Sequence, residues 1–272
     1  MMHTIILTSA DHCYANALLG LLIRGRVFEG QRVLVMEQYG LMPGKTKLEG
    51  LVRYLGVSGV AYVCWQIAKQ NLFVFMRFLR AIQGKQRSVY YPYWKLPGAT
   101  LKRMICPRLS SPEAIAFIKK QKPDLILSLF SKDVIPKEIF SLPSRGCVNL
   151  HPAPLPLYRG ISPTFWILAR GEITAGVTLH MVDKGLDTGA IIAQRLFSTK
   201  GFTDEHALYM QATRYGARLV EDFVKGALNG KRPRLTPNPA QGSYFRLPTR
   251  EAVRDFFARG ARFFAWRDFF YQ

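Results

Sequence analysis

The strongest constraint in this sequence is a short apolar run that ends abruptly in prolines. The run 146–148 leads into Asn149 and His151, and a proline-rich segment at 152–156 follows. Alternate residues of a strand share a face, so Asn149 and His151 should point the same way. Proline cannot continue a strand ladder, so the strand should end here. The sequence therefore predicts an amide and an imidazole together at the carboxyl end of a strand, where open α/β sheets bind ligands.

A second predicted strand, at 177–182, is followed by an acidic loop rich in glycine. The loop, residues 183–189, has the sequence DKGLDTG and contains Asp187. A carboxylate partner holds an imidazole in one tautomer and keeps it protonated at neutral pH. An amide, an imidazole and a carboxylate in one place would suit a carbonyl that turns tetrahedral, since they offer oxyanion donors and an acid or base. No serine or cysteine nucleophile is marked nearby, so we expect the substrate to supply the nucleophile.

Two motifs together resemble the folate-dependent formyltransferase family. The motif N-x-H-P-x-x-L-P followed by R-G covers 149–160, and D-x-G-x-D-T-G covers 183–189. The resemblance is specific over about 122–196, and the family includes methionyl-tRNA, glycinamide ribonucleotide and amino-sugar N-formyltransferases. It implies transfer of a formyl group from 10-formyltetrahydrofolate, the co-substrate, to a primary amine, with no metal.

The resemblance also implies roles for individual residues. Asn149, His151 and Asp187 match the family's catalytic trio, and Arg159 and Gly160 are expected to shape the acceptor entrance. The positions that match the folate-binding segments are Ser128, Leu129, Phe130, Leu155, Pro156, Val182, Asp183, Gly185, Leu186 and Thr188.

In the implied mechanism, a neutral amine attacks the formyl carbon. The Asn149 amide and protonated His151 bind the oxyanion, while Asp187 orients His151, keeps it charged and relays the excess proton through water. Collapse of the intermediate then releases tetrahydrofolate. The chain departs from many members at Ala153 and Pro154, where they have serine and leucine. The shape of this loop and the choice of acceptor can therefore differ from those of the family.

Strand and helix patterns alternate along the rest of the chain. Strands are predicted at 4–9, 32–37 and 124–130, and helices at 14–24, 111–120 and 203–229. This alternation predicts an α/β fold with a doubly wound, mostly parallel sheet, a formyltransferase-like Rossmann variant by resemblance. We divide the chain into a catalytic domain, 1–230, and a C-terminal appendage, 231–272. His180 is predicted to be a structural histidine and His206 a solvated one.

The net charge and the cysteine content limit the kinds of partner and the cellular location that we expect. The net charge of +20 predicts attraction to polyanions: nucleic acid, an anionic membrane face or a phosphorylated substrate. The four cysteines form no C-x-x-C pair, which argues against a zinc site or a disulfide framework. We therefore expect a cytoplasmic protein, with peripheral contact to the inner membrane face left open.

Two segments have an unusual mixture of apolar and basic residues. An insertion at about 40–83 is nearly all apolar over 51–68, and it could span a membrane, lie flat on one, or pack as a helical hairpin. The tail, 251–272, has paired phenylalanines among arginines, which predicts an aromatic, basic helix. That helix could dock on the core or anchor the chain to a membrane surface.

The acceptor is the least determined part of the function. Only the appendage follows residue 230, too little for the barrel-like domain usual in methionyl-tRNA formyltransferases, so we favour an amino sugar carried on a nucleotide or lipid diphosphate. A methionyl-tRNA formyltransferase-like enzyme is the alternative, with tRNA as partner. Hydrolysis of formyl-folate and a non-catalytic folate-fold binding protein at the membrane surface are the other classes.

Overall fold

Short apolar runs form the strands of this protein, and amphipathic segments form its helices. A computed structural model describes residues 1–10, 12–40, 46–98, 101–106 and 108–270. The strands are β1 (His3–Ser9), β2 (Arg32–Gln38), β3 (Lys102–Ile105), β4 (Leu125–Leu129), β5 (Cys147–His151), β6 (Arg159–Gly160), β7 (Thr174–Met181), β8 (Ile191–Ser198) and β9 (Tyr244–Phe245). The helices are α1 (Cys13–Arg24), α2 (Lys47–Ile82), α3 (Pro112–Gln121), α4 (Lys137–Phe140), α5 (Pro163–Arg170), α6 (Glu205–Leu228), α7 (Arg250–Ala258) and α8 (Arg267–Phe270).

Seven strands form one sheet in the order β3-β2-β1-β4-β5-β7-β8. The pairs from β3 to β5 are parallel, whereas β5 with β7 and β7 with β8 are antiparallel. The central strand β1 is buried along its whole length, as expected for a parallel strand covered on both faces. The doubly wound, mostly parallel sheet predicted from the sequence is therefore confirmed.

Helices cover both faces of the sheet unequally. Ile6 belongs to a large apolar cluster that includes residues of α1, α2, α5, α6 and α7. Its neighbours Ile5 and Leu7 point the other way, into a smaller cluster completed by Ile118 of α3 and Ile139 of α4. The larger layer includes residues from one side of the insertion and from the tail, so both segments contribute to the core.

The insertion forms two helices that meet at a kink at Gly59 and are counted together as α2. Thr46 and Glu49 make a capping box at its start. The backbone leaves helical geometry only at Gly59, where φ is 83°, a left-handed value that glycine adopts without penalty. By length and composition, the segment from residue 48 to Ile82 could cross a bilayer, and only 17% of its most apolar window is buried inside the protein. Residues 41–45, at the start of the predicted insertion, lie outside the described residues.

The tail is not the single aromatic helix predicted from its sequence. It folds as two short helices, α7 and α8, which are separated by a turn at Gly260 with φ of 74°. Phe256, Phe263 and Phe269 are almost fully buried, while Phe270 remains exposed. The tail therefore packs on the core, one of the two alternatives that the sequence left open, and its last two residues, 271–272, lie outside the described residues.

A buried ion pair joins the insertion to α6. Lys69 Nζ lies 2.7 Å from Glu205 Oε2, and the two side chains are only 9% and 5% exposed. His206, the next residue, is fully buried, with Nε2 2.9 Å from the Tyr90 hydroxyl, so the prediction that it is solvated is wrong. Burial, together with the nearby charges of Lys69 and Arg214, lowers the pKa of His206 to about 3, so His206 stays neutral at neutral pH.

Removing one partner of this ion pair should destabilise the fold strongly. Lys69→Met leaves the Glu205 carboxylate buried without its cation, so the free energy of unfolding should fall by about 3–5 kcal/mol. Urea denaturation followed by circular dichroism measures the change. Lys69→Met/Glu205→Leu should recover most of the loss, because no buried charge remains.

Arg26→Met provides the matched control. Arg26 pairs with Glu29 at 3.9 Å, and both side chains are more than two-thirds exposed, so this change should have little effect. An equal effect of Lys69→Met and Arg26→Met would contradict the importance of the buried pair.

Candidate active site

The sheet register brings the polar residues of two strands together at one rim. In the antiparallel pair of β5 and β7, Asn149 lies opposite His180 and His151 lies opposite Thr178. On its other side Asn149 lies opposite Ser128 of β4. Because side chains alternate along a strand, Asn149 and His151 share one face, as predicted.

The three side chains predicted to form a catalytic trio lie within a few ångströms of one another. Asp187 Oδ2 is 3.6 Å from His151 Nδ1, longer than a direct hydrogen bond but within ion-pair distance. Asn149 Nδ2 is 3.4 Å from Asp187 Oδ1. His151 Nε2 donates to the Tyr158 carbonyl oxygen at 2.8 Å. Both ring nitrogens of His151 therefore face oxygen acceptors, and a doubly protonated ring satisfies both.

His180 is a fourth member of this cluster and was not predicted as one. It is 2% exposed, its Nε2 lies 3.0 Å from Asn149 Nδ2, and the same nitrogen lies 3.5 Å from Asp187 Oδ1. Its Nδ1 lies 2.8 Å from the Met181 carbonyl oxygen, which can only accept, so Nδ1 carries the proton. His180 Nε2 then accepts from the Asn149 amide.

This bond sets the orientation of the Asn149 side chain. Its amide nitrogen faces His180 and Asp187, and its carbonyl oxygen is turned away from them. In this arrangement the amide N–H groups are engaged inside the cluster. The sequence-based expectation that they bind an oxyanion therefore differs from the observed geometry.

Several groups hold the loop that carries Asp187. The Gly160 backbone N–H donates to Asp187 Oδ2 at 2.9 Å, and Asn238 Nδ2 donates to the Asp187 carbonyl oxygen at 3.0 Å. Asp183 Oδ1 accepts from the Gly185 N–H at 3.0 Å and from the Thr188 hydroxyl at 2.6 Å. The carboxylate is thus fixed by a backbone donor on one side and by a hydrogen-bonded loop on the other.

The surroundings of Asp187 favour its charged form. Burial alone would raise its pKa, but charge interaction with His151 and the hydrogen bond from the Gly160 N–H hold the pKa well below its usual range. Asp187 is therefore ionised throughout the neutral range. A lowered folded-state pKa adds stability above the ordinary carboxyl range, near pH 4, and that stability is lost as pH falls towards the folded value.

Arg159, which was predicted to shape the acceptor entrance, makes its hydrogen bonds to the protein itself. Arg159 is 8% exposed, and its Nε donates to the Asp187 carbonyl oxygen at 3.1 Å. Its remaining nitrogens donate to the Ala240 and Pro239 carbonyl oxygens and to Asn238 Oδ1. The guanidinium therefore positions the loop against the segment 238–240.

Gly160 also supports the site from within. Its φ is 99°, and a Cβ atom there would lie 2.3 Å from the Phe245 carbonyl oxygen. Only glycine accepts both conditions, which leaves the backbone N–H aimed at Asp187. In this structure Gly160 thus positions the Asp187 carboxylate.

The residues predicted to bind folate divide into three groups. Ser128, Leu129 and Leu155 are buried, and the Leu155–Pro156 peptide is cis. Phe130, which the resemblance placed in the pocket, packs instead in the core, with its ring 5.3 Å from those of His12 and Tyr209. The partly or fully exposed members at the rim are Pro156, Val182, Asp183, Gly185, Leu186 and Thr188.

Two further residues shape the turn after β5 and were missed from the sequence. The Thr178 hydroxyl donates to the Ala153 carbonyl oxygen at 2.7 Å and accepts from the Leu155 N–H at 3.2 Å. Gln194 Nε2 donates to the Leu155 carbonyl oxygen at 2.7 Å. The alternation of β7 puts Thr178 and His180 on one face, and only the antiparallel pairing reveals that this face meets Asn149.

Comparisons with known proteins agree with this geometry. Residues 95–217 match the family model described as Formyl transferase. The chain is 32% identical to the methionyl-tRNA formyltransferase of Trichlorobacter lovleyi over 145 residues, which are 53% of this chain and 46% of that protein. It is 36% identical to the Thermodesulfovibrio yellowstonii protein of the same name over 135 residues, 48% of this chain and 43% of that protein. The chain spans less than half the length of these curated relatives.

Solved structures match over nearly the whole chain. A sugar N-formyltransferase from a Shewanella species has a TM-score of 0.58 at 15% identity, covering 95% of this chain and 88% of that one. Glycinamide ribonucleotide transformylase 1 from Symbiobacterium toebii has a TM-score of 0.55 at 17% identity, covering 88% and 95%. At these identities the likeness is one of fold. The matched family model shows that residues 95–217 contain a formyl transferase domain.

Proposed function

We propose that this protein is an enzyme that transfers a formyl group from 10-formyltetrahydrofolate to a primary amine. The observation that carries the proposal is the convergence of Asn149, His151 and Asp187 at the rim, with distances of 3.4 Å and 3.6 Å to the carboxylate. The family match supports the same reaction class. The co-substrate supplies an activated formyl carbon: the new C–N bond forms first to give a tetrahedral intermediate, and the bond from that carbon to the folate nitrogen then breaks.

His151 is the proposed donor to the formyl oxygen. Its Nε2 now donates to the Tyr158 carbonyl oxygen, so binding the developing oxyanion exchanges one oxygen acceptor for another. Asp187 stabilises the charged ring from the Nδ1 side. The negative charge that grows on the formyl oxygen thus meets a ring that carries a compensating proton.

Asn149 is the proposed guide for the acceptor amine. Because its N–H groups face His180 and Asp187, its carbonyl oxygen is free to accept a hydrogen bond from the amine and turn the nitrogen lone pair towards the formyl carbon. As the C–N bond forms, the amine nitrogen becomes acidic, and Asp187 accepts its proton through water. The same proton finally reaches the departing folate nitrogen, which balances the transfer.

A phosphorylated amine is the acceptor class we favour, most of all an amino sugar carried on a nucleotide or lipid diphosphate. The net charge of +20 favours a polyanionic substrate in the cytoplasm. Sequence relatives named methionyl-tRNA formyltransferase make a tRNA-linked amine the second candidate.

Loss of the carboxylate should disable the chemistry without unfolding the protein. Asp187→Asn keeps the side-chain shape and an acceptor for Gly160, but it removes the charge that stabilises protonated His151. We expect turnover to fall by about 10²- to 10⁴-fold, measured as tetrahydrofolate release. Lys184→Ala, at an exposed position of the same loop, is the control and should leave turnover unchanged. Near-normal formylation by well-folded Asp187→Asn would remove the assignment.

His180 should act through the orientation of Asn149. His180→Ala removes the acceptor of the Asn149 amide, so the amide can rotate, and we expect kcat to fall about tenfold or more with KM little changed. His180→Gln supplies an amide oxygen as acceptor and should restore part of kcat. If the two variants lose activity equally and through KM, His180 has only a packing role.

A panel of amines tests the acceptor class. The protein is incubated with 10-formyltetrahydrofolate and, separately, with nucleotide-linked amino sugars, lipid-linked amino sugars and methionyl-tRNA, and the acceptor mass is followed. We expect formylation of a sugar acceptor. Formylation of methionyl-tRNA alone, together with tight and salt-sensitive tRNA binding, would overturn this preference.

A further inference from the structure

The outer face of α2 presents a long row of exposed apolar side chains. After the break at Gly59, its exposed positions recur every three or four residues, which places them on one side of the helix. They form the outer stripe, as we name it: Val60, Ala61, Cys64, Trp65, Ile67, Ala68, Asn71, Val74, Phe75, Phe78 and Ile82. Asn71 is the only polar member. The stripe is about 33 Å long, at 1.5 Å of rise per residue.

The polarity of this helix is the reverse of that expected for a helix that faces water. Of the three charged side chains after the break, Lys69 and Arg80 are buried against the protein, with exposures of 7% and 6%. The third, Arg77, is partly buried over the Trp94 ring. Phe75, Phe78 and Ile82 are 54%, 65% and 68% exposed. A helix on a water-covered surface has the opposite arrangement, so the outer stripe must meet an apolar medium or partner.

The helix lies along the protein surface and does not leave it. Tyr62, Phe73 and Met76 are buried in the large apolar cluster, and Lys69 forms the ion pair with Glu205. A helix held along its whole inner side would present its outer stripe parallel to a membrane plane. This geometry fits binding within the interface and not a span across the bilayer.

A basic cavity lies at the end of the outer stripe. It has a volume of about 560 Å³ and is lined by Arg80, Lys85, Arg87, Phe270 and the backbone between them. Arg80 NH1 donates to Gln83 Oε1 at 2.9 Å, whereas its buried Nε has no hydrogen-bond partner within the described part of the chain. A buried guanidinium with one N–H group left without an acceptor, beside two exposed cations, suits an anionic group with several oxygens, such as a phosphate.

The charge of the surrounding segment selects among possible occupants. From Gly50 to Pro112 the sequence contains no Asp or Glu, so every charged side chain there is Lys or Arg. A second copy of the chain would set like charges against each other, which disfavours self-association through this face. An anionic bilayer offers both the apolar layer for the stripe and phosphates for the cations.

We propose that the outer stripe of α2 binds flat in the interface of an anionic lipid bilayer, with the cavity at Arg80 taking a lipid phosphate. The aromatic and aliphatic side chains then enter the boundary between headgroups and acyl chains, and Lys85 and Arg87 remain at headgroup level. This interaction needs neither folate nor acceptor and is independent of formyl transfer.

Co-sedimentation of the full chain with vesicles tests the proposal. Vesicles of phosphatidylcholine with phosphatidylglycerol should bind the protein, and vesicles of phosphatidylcholine alone should bind it much less. Phe75→Ser/Phe78→Ser should lower the partition coefficient about tenfold or more. Lys85→Glu/Arg87→Glu should lower it about 25-fold or more, since each basic residue near an anionic surface contributes about fivefold.

Matched variants elsewhere on the surface control for general effects. Ile173→Ser/Leu235→Ser removes two exposed apolar side chains away from α2, and Lys119→Glu/Lys120→Glu on α3 makes the same change in net charge. Both controls should bind nearly as the parent chain does. An unchanged thermal melt for each variant excludes unfolding as the cause.

Three outcomes would overturn the proposal. The first is equal loss of binding in the controls and in the α2 variants. The second is a parent chain that is dimeric by sedimentation and becomes monomeric in Phe75→Ser/Phe78→Ser, which would assign the stripe to a second copy. The third is complete displacement from vesicles by inorganic phosphate at the concentration of the lipid phosphate, which would indicate a site for free anions.

Discussion

The candidate site depends on one carboxylate held in a fixed place. Asp187 lies on the loop that follows β7. Four contacts fix the position of its side chain: the Gly160 N–H, His151, His180 and Asn149. A buried carboxylate without such partners would take up a proton, whereas these partners keep it charged. His151 faces that charge through Nδ1, and Asn149 faces it through the amide nitrogen that His180 also holds.

The fold and the trio were predictable because they depend on local patterns. Apolar runs predicted the parallel strands, and two short motifs placed Asn149, His151 and Asp187 at strand ends, where a doubly wound sheet gathers them. His180 was not recognised, because its role depends on the antiparallel pairing of β5 with β7. The sequence of either strand alone carries no information on that direction.

Other differences between the predictions and the structure arose because the residues contact partners that lie far away along the chain. Arginine often binds substrates, but the N–H groups of Arg159 donate to the carbonyl oxygens of residues 187, 239 and 240. His206 follows a helix N-cap, a place where solvent is the usual neighbour, yet Tyr90 and Phe269 enclose it. The tail has helical spacing of phenylalanines, but Gly260 interrupts it, and the rings fill the core from two short helices.

The hydrogen bonds of Arg159 also bear on how the molecule can be divided. The segment 238–240 and the short strand β9 belong by sequence to the appendage, yet they carry acceptors and a strand pair that align Arg159 and Gly160 beside the Asp187 loop. The predicted division at residue 230 therefore separates two stretches of sequence that form one mechanical unit. Changes in the appendage can thus retune the carboxylate at the rim without contacting any reacting atom.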